Sequence, residues 1–286
     1  MSFTKLTKQK YPPRLWVLVG FPDDGKSTFL AQMKGPILPI DADHRIDQVL
    51  DSNPGQEFLK LCDSPVDHIN PHAIAKHLAE KMPGSNVGTI GIDSLTAIII
   101  PRVVRAMVAK EEGEEKNLSV AFRDKALALR EIQDAVTGYG VDVLWIWHLD
   151  KSRNAKGDKE IIRETLSELE SNRLKRSINM RLEIVREEDK RGVKVVWSRE
   201  RYGMTLWDET KNWYGMPERI EAAVYDPLQP TREQLVTRYS QLVGKAATLS
   251  ITAEPVESFD DAGLIKAGHE LKAAIAAKKA QAQTPA

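Results

Sequence analysis

The 286-residue chain has one cysteine, Cys62, and no excess of either charge: 41 Lys+Arg stand against 41 Asp+Glu. A single cysteine excludes an internal disulfide framework and suits a reducing compartment. A net charge of zero excludes a uniformly basic coat for nucleic acid, though a local basic surface remains open. The longest apolar stretch, around Ile90–Ile100, is interrupted by Asp93 and falls short of the roughly 18 residues that a membrane span needs. The first residues, MSFTKLTKQKYPPR, have no apolar core of a secretory signal. No membrane association is therefore expected. With 42% hydrophobic residues the chain is long enough to bury a core without staples.

What is present is an alternation of short apolar runs with helix-length segments. Strands are expected at 15–19, 37–40, 87–93, 141–147, 180–185 and 193–198, where the residues are β-branched or aromatic and apolar on both parities. Helical patterns start at Ser27, cover roughly 71–82, and run near 118–138 with Phe122, Leu129, Ile132 and Val136 on one face. Such alternation predicts an α/β fold with a mainly parallel sheet flanked by helices. The pair at 180–198, joined by the polar stretch Glu187–Gly192, reads as an antiparallel β-hairpin. Residues 1–13 read as a flexible basic arm and 14–225 as one domain. Residues 226–286 read as a short helix over 232–243 and a weakly ordered helical tail, whose last 20 residues hold eight alanines.

The sharpest motif is Gly20-Phe-Pro-Asp-Asp-Gly25-Lys26-Ser27, a complete G-x-x-x-x-G-K-S after an apolar strand and before a helix. The glycines let backbone N–H groups turn toward phosphates, Lys26 meets the β- and γ-phosphates, and the Ser27 hydroxyl ligates Mg²⁺. The helix entered through Ser27 and Thr28 adds its positive end. Asp23 and Asp24 sit inside the loop, where carboxylates repel a triphosphate unless they point outward or meet a cation. The second landmark is Thr89-Ile-Gly-Ile-Asp93-Ser94. An aspartate at the C-terminal edge of such a sheet, near the loop, holds the Mg²⁺ water shell together with Ser27.

The order of these segments resembles the RecA-like branch of P-loop ATPases over roughly residues 14–204. Ile40-Asp41-Ala42-Asp43-His44 is similar to the family strand ending Ile-Asp-Ala-Glu-His, whose Glu polarises the attacking water. Ile92-Asp93-Ser94-Leu95 is similar to the family's Asp-Ser Walker B. His148, after the strand 143–147, stands where the family carries a polar γ-phosphate sensor. Ser198-Arg199-Glu-Arg201-Tyr-Gly203 resembles the Lys-x-Arg finger of RecA-fold hexameric helicases, which reaches a neighbouring subunit's nucleotide. In layout the chain looks most like the small single-domain RecA-like ATPases encoded by bacteriophages, which act in single-strand annealing and recombination.

That resemblance implies ATP and Mg²⁺ as ligands and a homo-oligomer, ring or filament, with nucleotide at the subunit boundary. It implies Lys26, Asp43, Asp93, His148, Arg199 and Arg201 as catalytic groups, with Gly20, Asp23, Asp24, Gly25, Lys26, Ser27 and Thr28 around the nucleotide. It also implies single-stranded DNA as partner, a single-strand-binding protein beside it, and the host cytoplasm as location. The corresponding DNA segment is 150–177, with Lys151, Arg153, Lys156, Lys159, Arg173, Lys175 and Arg176, although its middle, Glu160–Glu170, carries acids at helical spacing and reads also as a solvated helix. Asp43 is one methylene shorter than the family's Glu. Two alternatives stay open: a hexameric helicase or its loader, and a nucleotide-gated scaffold with little hydrolysis. His68, His72 and His77 do not make a metal site by spacing, since His77 lies at i+5 from His72 and Pro71 breaks the preceding turn. Cys62 reads as a small buried hydrophobe.

Overall fold

The structure, a computed structural model, describes residues 9–101, 108, 112, 119–153, 160–227 and 232–282. Its sheet is built from strands β1 (Leu15–Gly20), β2 (Ile37–Asp41), β3 (Thr89–Asp93), β4 (Asp142–Arg153), β6 (Met180–Glu187), β7 (Lys190–Ser198) and β8 (Thr205–Trp207) in the order β2-β3-β4-β1-β6-β7-β8, while β5 (Glu160–Glu164) pairs with β4. The pairs β2–β3, β3–β4, β4–β1 and β1–β6 are parallel; β6–β7 and β7–β8 are antiparallel. This is the mainly parallel α/β sheet that the alternation predicts.

Side-chain parity explains why the strands are apolar throughout. Val17, Val19, Val143, Trp145 and Trp147 face one layer with Ile74, Leu78, Leu129, Ile132 and Val136, from α3 (Pro71–Lys81) and α4 (Ser119–Thr137). Trp16, Leu18, Leu144 and Ile146 face the other, with Phe29 and Leu30 of α1 (Lys26–Leu30) and Ile220 and Val224 of α6 (Met216–Tyr225). Successive side chains of a strand point to opposite faces, so covering both faces demands apolar residues at both parities. Trp145 and Trp147 are fully buried core residues. A short α2 (Asp47–Leu50) follows β2.

Three segments differ from expectation. The acidic stretch 160–170 is not one solvated helix: Ile161 and Ile162 sit in β5, which extends β4 into a hairpin, and α5 (Glu168–Leu174) starts only after a capping box made by Ser167 and Glu170. Glu164 explains the switch, since its carboxylate accepts from Trp147 Nε1 at 3.2 Å and pairs with Arg181, both on sheet strands. Part of the basic arm is seated: Tyr11 donates to Asp226 at 2.8 Å, and beyond it Arg14, the first residue of the domain, is buried with its guanidinium donating to Glu221 at 2.6 Å and Glu218 at 2.8 Å.

The chain divides at Asp226 into two compact units. The second unit holds α7 (Arg232–Ala247) and α8 (Asp261–Ala282), so both halves of the stretch expected as helix plus weakly ordered tail are helical. Leu235, Tyr239, Ala246, Leu264, Leu271 and Ile275 make a core of their own. Among the described residues no helix is long and apolar enough to cross a membrane.

Candidate functional site

Parallel pairing brings the motif residues to one edge of the sheet. Gly20, the last residue of β1, is paired with His148 of β4, and Asp41 of β2 with Asp93 of β3. Four chemically loaded positions therefore stand side by side at the carboxyl edge, where ligands of open α/β sheets bind.

The loop after β1 closes through Gly25, at φ 84°, into α1. A side chain at Gly25 is strained by that left-handed backbone, and an added Cβ would also displace the Arg191 guanidinium, 2.7 Å away, and crowd the Trp213 indole nitrogen at 3.1 Å. Lys26 is buried, and its ammonium donates to the carbonyls of Gly20 at 3.1 Å and Phe21 at 2.5 Å. Burial pushes the Lys26 ammonium below its ordinary pKa, against the opposing pull of the carboxylates of Asp24, Asp93, Asp23 and Asp43. The Ser27 hydroxyl donates to Asp93 Oδ2 at 2.5 Å. Burial pushes the Asp93 carboxyl above the usual carboxylate range, with Asp43 and Asp41 adding to the rise and Ser27 opposing it. Thr28, next in the helix, is half-buried.

Asp43 and His148 meet across the edge, Oδ2 to Nε2, at 3.5 Å. That contact is the largest cause holding the Asp43 carboxyl below its ordinary value, outweighing the opposite effect of burial. The turn that presents Asp43 is built by its neighbours. Asp41 accepts from the N–H groups of Arg45 and Ile46 at 3.0 and 3.1 Å, and the backbone N–H groups of Ala42 and Asp43 donate to the Asp93 carbonyl at 2.8 and 3.3 Å. Asp41 is thus a turn-former, and Asp43 is the acid free to face the site.

The two loop aspartates do not act as repellents of equal kind. Asp24 is buried; Oδ2 accepts from the Phe21 N–H at 2.7 Å, and Oδ1 accepts from Arg186 at 2.7 Å. It braces the loop and is neutralised by Arg186, which also donates to the Asp23 carbonyl at 3.0 Å. Asp23 is exposed, with φ 64°.

Arg186, Arg191, Asp208 and Trp213 escape a motif search, because no local pattern marks a residue that contacts the loop from 160 or more positions away. Trp213 is fully buried and donates through Nε1 to the Gly25 carbonyl at 3.0 Å. Arg191 lies over its ring at 4.3 Å and is fixed by Asp208 at 3.1 Å. Of the four, Arg191 alone falls in the polar Glu187–Gly192 turn, the tip of a hairpin that the β1–β6 register carries to the loop's edge.

Arg199 and Arg201 are not brought to this cluster. Trp16 pairs with Met180 and Met180 with Ser198, so the turn after Ser198 lies at the opposite, amino edge of the sheet. Arg201 donates to the carbonyls of Val224, at 3.1 Å, and Asp226, closing the end of α6. Arg199 is exposed. The basic set of 150–177 divides in two. Exposed Lys151 stands on the β4 extension with its ammonium 5.6 Å from the Phe21 ring, next to the loop, and Arg153 ends β4. Arg173 and Arg176 line a groove of about 850 Å³ with Arg123 and Arg130 of α4, while Lys175 donates to Asn172 at 3.0 Å. Lys156 and Lys159 lie outside the described residues, as does most of the loop 102–117.

No family model matches the chain, and no curated protein matches it. Similarity is found only in architecture. Among solved structures the chain is similar to the RadB recombinase, at TM-score 0.42 and 16% identity over 71% of this chain and 90% of that one. It is similar also to the KaiC-like protein PH0186 from hyperthermophilic archaea Pyrococcus horikoshii OT3, at TM-score 0.42 and 13% identity over 71% of this chain and 87% of that one. At these values the likeness carries no functional argument, and the site must speak through its own chemistry.

Proposed function

We propose that the chain is an oligomeric ATPase of the recombination type that binds single-stranded DNA and uses ATP with Mg²⁺. The observation that carries this reading is the convergence of Lys26, Ser27, Asp93, Asp43 and His148 at one sheet edge around a glycine-closed loop. A turn dipeptide or a polar strand end has no reason to bring a buried lysine, a hydroxyl–carboxylate pair and an acid–imidazole pair together.

The residues fit Mg²⁺, since Ser27 Oγ and Asp93 offer two hard oxygen donors at the same point. When bound there, the ion neutralises charge on the β- and γ-phosphates. The chain's own groups do the rest. Lys26 trades its two carbonyl partners for phosphate oxygens, for which its buried, weakly solvated ammonium is suited. Backbone N–H groups of the loop and the start of α1 cradle the phosphate chain. Asp43 orients the attacking water through its carboxylate, and His148, paired to it at 3.5 Å, fixes that carboxylate and senses the γ-phosphate. Arg199 reaches a neighbouring protomer's nucleotide, so the functional unit is a ring or a filament; Arg201 supports the turn that carries it. Lys151, beside the loop, and the arginines of the α4–α5 groove offer phosphate contacts to DNA.

The test is ATP hydrolysis with and without single-stranded DNA. Stimulation by DNA, together with tighter DNA binding in ATP, is the expected result; no effect in either direction contradicts the reading. ATP binding without turnover would favour the nucleotide-gated scaffold, which the short reach of Asp43 motivates. A closed ring that unwinds duplex would favour the helicase or loader.

A further inference from the structure

Away from the sheet edge, three side chains of different chemistry meet between α2 and the middle of α3. Cys62 Sγ, a carboxylate oxygen of Asp67 and a ring nitrogen of His77 all lie within 4.8 Å of one another. The spacing of the histidines alone argued against a metal here, and for His68 and His72 the structure agrees. His72 is exposed against Glu131 at 2.9 Å, and His68 is engaged by the Asp41 N–H at 3.1 Å and the Cys62 carbonyl at 3.4 Å. His77 behaves differently because the fold supplies it with partners that precede it by 10 and 15 residues.

We propose that Cys62, Asp67 and His77 form a binding site for a divalent transition metal of the zinc class, with three protein ligands and one open position for water. Thiolate, imidazole and carboxylate are the three donor types that Zn²⁺ takes, and on its tetrahedron neighbouring donor atoms sit about 3–4 Å apart. His77 Nε2 and Asp67 Oδ2 are already 3.0 Å apart. Side-chain rotation of about 1 Å brings the rest into range. The set is the wrong one for Mg²⁺, which wants oxygen ligands in an octahedron, so this site and the Ser27–Asp93 pair select different ions.

The ligands are held by structure on both sides. Asp67 sits in the 3₁₀ turn Pro65–Ile69, and α3 follows at once, started by Pro71 and capped by Asn70, whose side chain accepts from the His72 N–H at 3.2 Å. Fully buried Leu61 anchors the segment before Cys62, and Ile74 and Leu78 anchor the helix on either side of His77. Lys81, one turn on, donates to the Leu61 carbonyl. A plain Asp67–His77 hydrogen bond is the simpler account of the pair, but it leaves work undone. Among the described residues His77 Nδ1 is buried with no partner, and the Cys62 thiol meets the Ser64 carbonyl at 3.5 Å. Nε2, the nitrogen that already faces Asp67, is the one placed to ligate.

The site's position gives it a structural consequence. His68 links the Cys62 carbonyl to the Asp41 N–H, two residues before Asp43. A metal that fixes Cys62, Asp67 and His77 therefore stiffens the loop behind the segment that presents Asp43.

The full chain, carrying no affinity histidines and held in excess Mg²⁺, is titrated with Co²⁺ and followed by absorption. One equivalent is expected to bind, with the visible bands of tetrahedral cobalt and a near-ultraviolet thiolate-to-metal band that one equivalent of Zn²⁺ displaces. Since Cys62 is the sole cysteine, a thiolate band can come from no other residue of the chain. Saturating Zn²⁺ is expected to slow alkylation of Cys62 at least about tenfold, because the metal-bound sulfur is less available. Cys62→Ser removes the band, and His77→Ala weakens binding at least about tenfold. Spectra without a thiolate band, or an alkylation rate unchanged by Zn²⁺, overturn the proposal, and both are read on the unaltered chain.

Discussion

The Ser27 hydroxyl donates to Asp93 Oδ2 across 2.5 Å, joining the first turn of α1 to the end of β3 and bridging two segments 66 residues apart. Burial makes this carboxylate costly to ionise and raises its pKa, while the Ser27 hydrogen bond opposes the rise. A raised acid stabilises the fold only while protonated. The penalty sets in as pH rises past the unfolded aspartate value of about 3.9 and is complete above the folded one. Asp93→Asn is therefore expected to raise the melting temperature at neutral pH by about 2–4 °C, corresponding to roughly 1 kcal/mol, while abolishing Mg²⁺-dependent ATP hydrolysis. Calorimetry and an ATPase assay on the same variant check both halves. A destabilised Asp93→Asn would show that the carboxylate is held in its charged form.

Asp24 is a brace for the loop, and its partner should matter less than it does. Arg186 is largely exposed, so Arg186→Ala is expected to lower stability by only about 1 kcal/mol. Asp24→Ala also frees the Phe21 N–H, and should cost about 1–3 kcal/mol and weaken nucleotide binding about tenfold. Denaturation midpoints and nucleotide titrations give the order. Equal effects of the two changes would mean that the ion pair, and not the loop hydrogen bond, is what counts.

Trp213 reports on the loop. Its indole N–H is bonded to the Gly25 carbonyl, and its ring meets Phe29 edge-on at 5.9 Å between centroids. Adding ATP or ADP is expected to change intrinsic fluorescence, with the change lost in Trp213→Phe. That variant should bind nucleotide several-fold more weakly, since the lost hydrogen bond is worth about 1 kcal/mol. A nucleotide-dependent signal of unchanged size in Trp213→Phe would place the responding tryptophan elsewhere.

The two arginines of the Arg199-x-Arg201 turn should separate. Arg201 closes the end of α6, so Arg201→Ala is expected to lower stability by about 1–3 kcal/mol, because two buried-end carbonyls lose their donor. Arg199→Ala should leave stability and nucleotide affinity alone and lower ATP turnover about a hundredfold or more. Mixing Arg199→Ala with Lys26→Ala protomers should restore part of the activity, as one supplies the loop and the other the finger. No restoration in the mixture would remove Arg199 from a neighbour's site.

Much of the sheet was legible from the chain because its central strands are covered on both faces. Leu15–Gly20, Ile37–Asp41 and Thr89–Asp93 carry no charge before their last residue, as strands covered on both faces require. The exceptions have physical reasons. β5 reads Glu-Ile-Ile-Arg-Glu, and its charges imitate a solvated helix until Glu164 is seen bonded to Trp147 and Arg181. β8 spans only Thr205–Trp207, too short to show any period. The loop, Asp93 and Asp43 were readable because their chemistry lies in short local runs. The supports Arg186, Arg191 and Trp213, and the Cys62–Asp67–His77 cluster, arise only when the chain folds back on itself.

The most direct test is steady-state ATP hydrolysis over a titration of single-stranded DNA, with wild type and Lys26→Ala compared at equal concentration. The account predicts turnover that rises with DNA in the wild type and falls at least about a hundredfold in Lys26→Ala, because the phosphate charge loses its buried ammonium. Hydrolysis that ignores DNA, or that survives in Lys26→Ala, would contradict it.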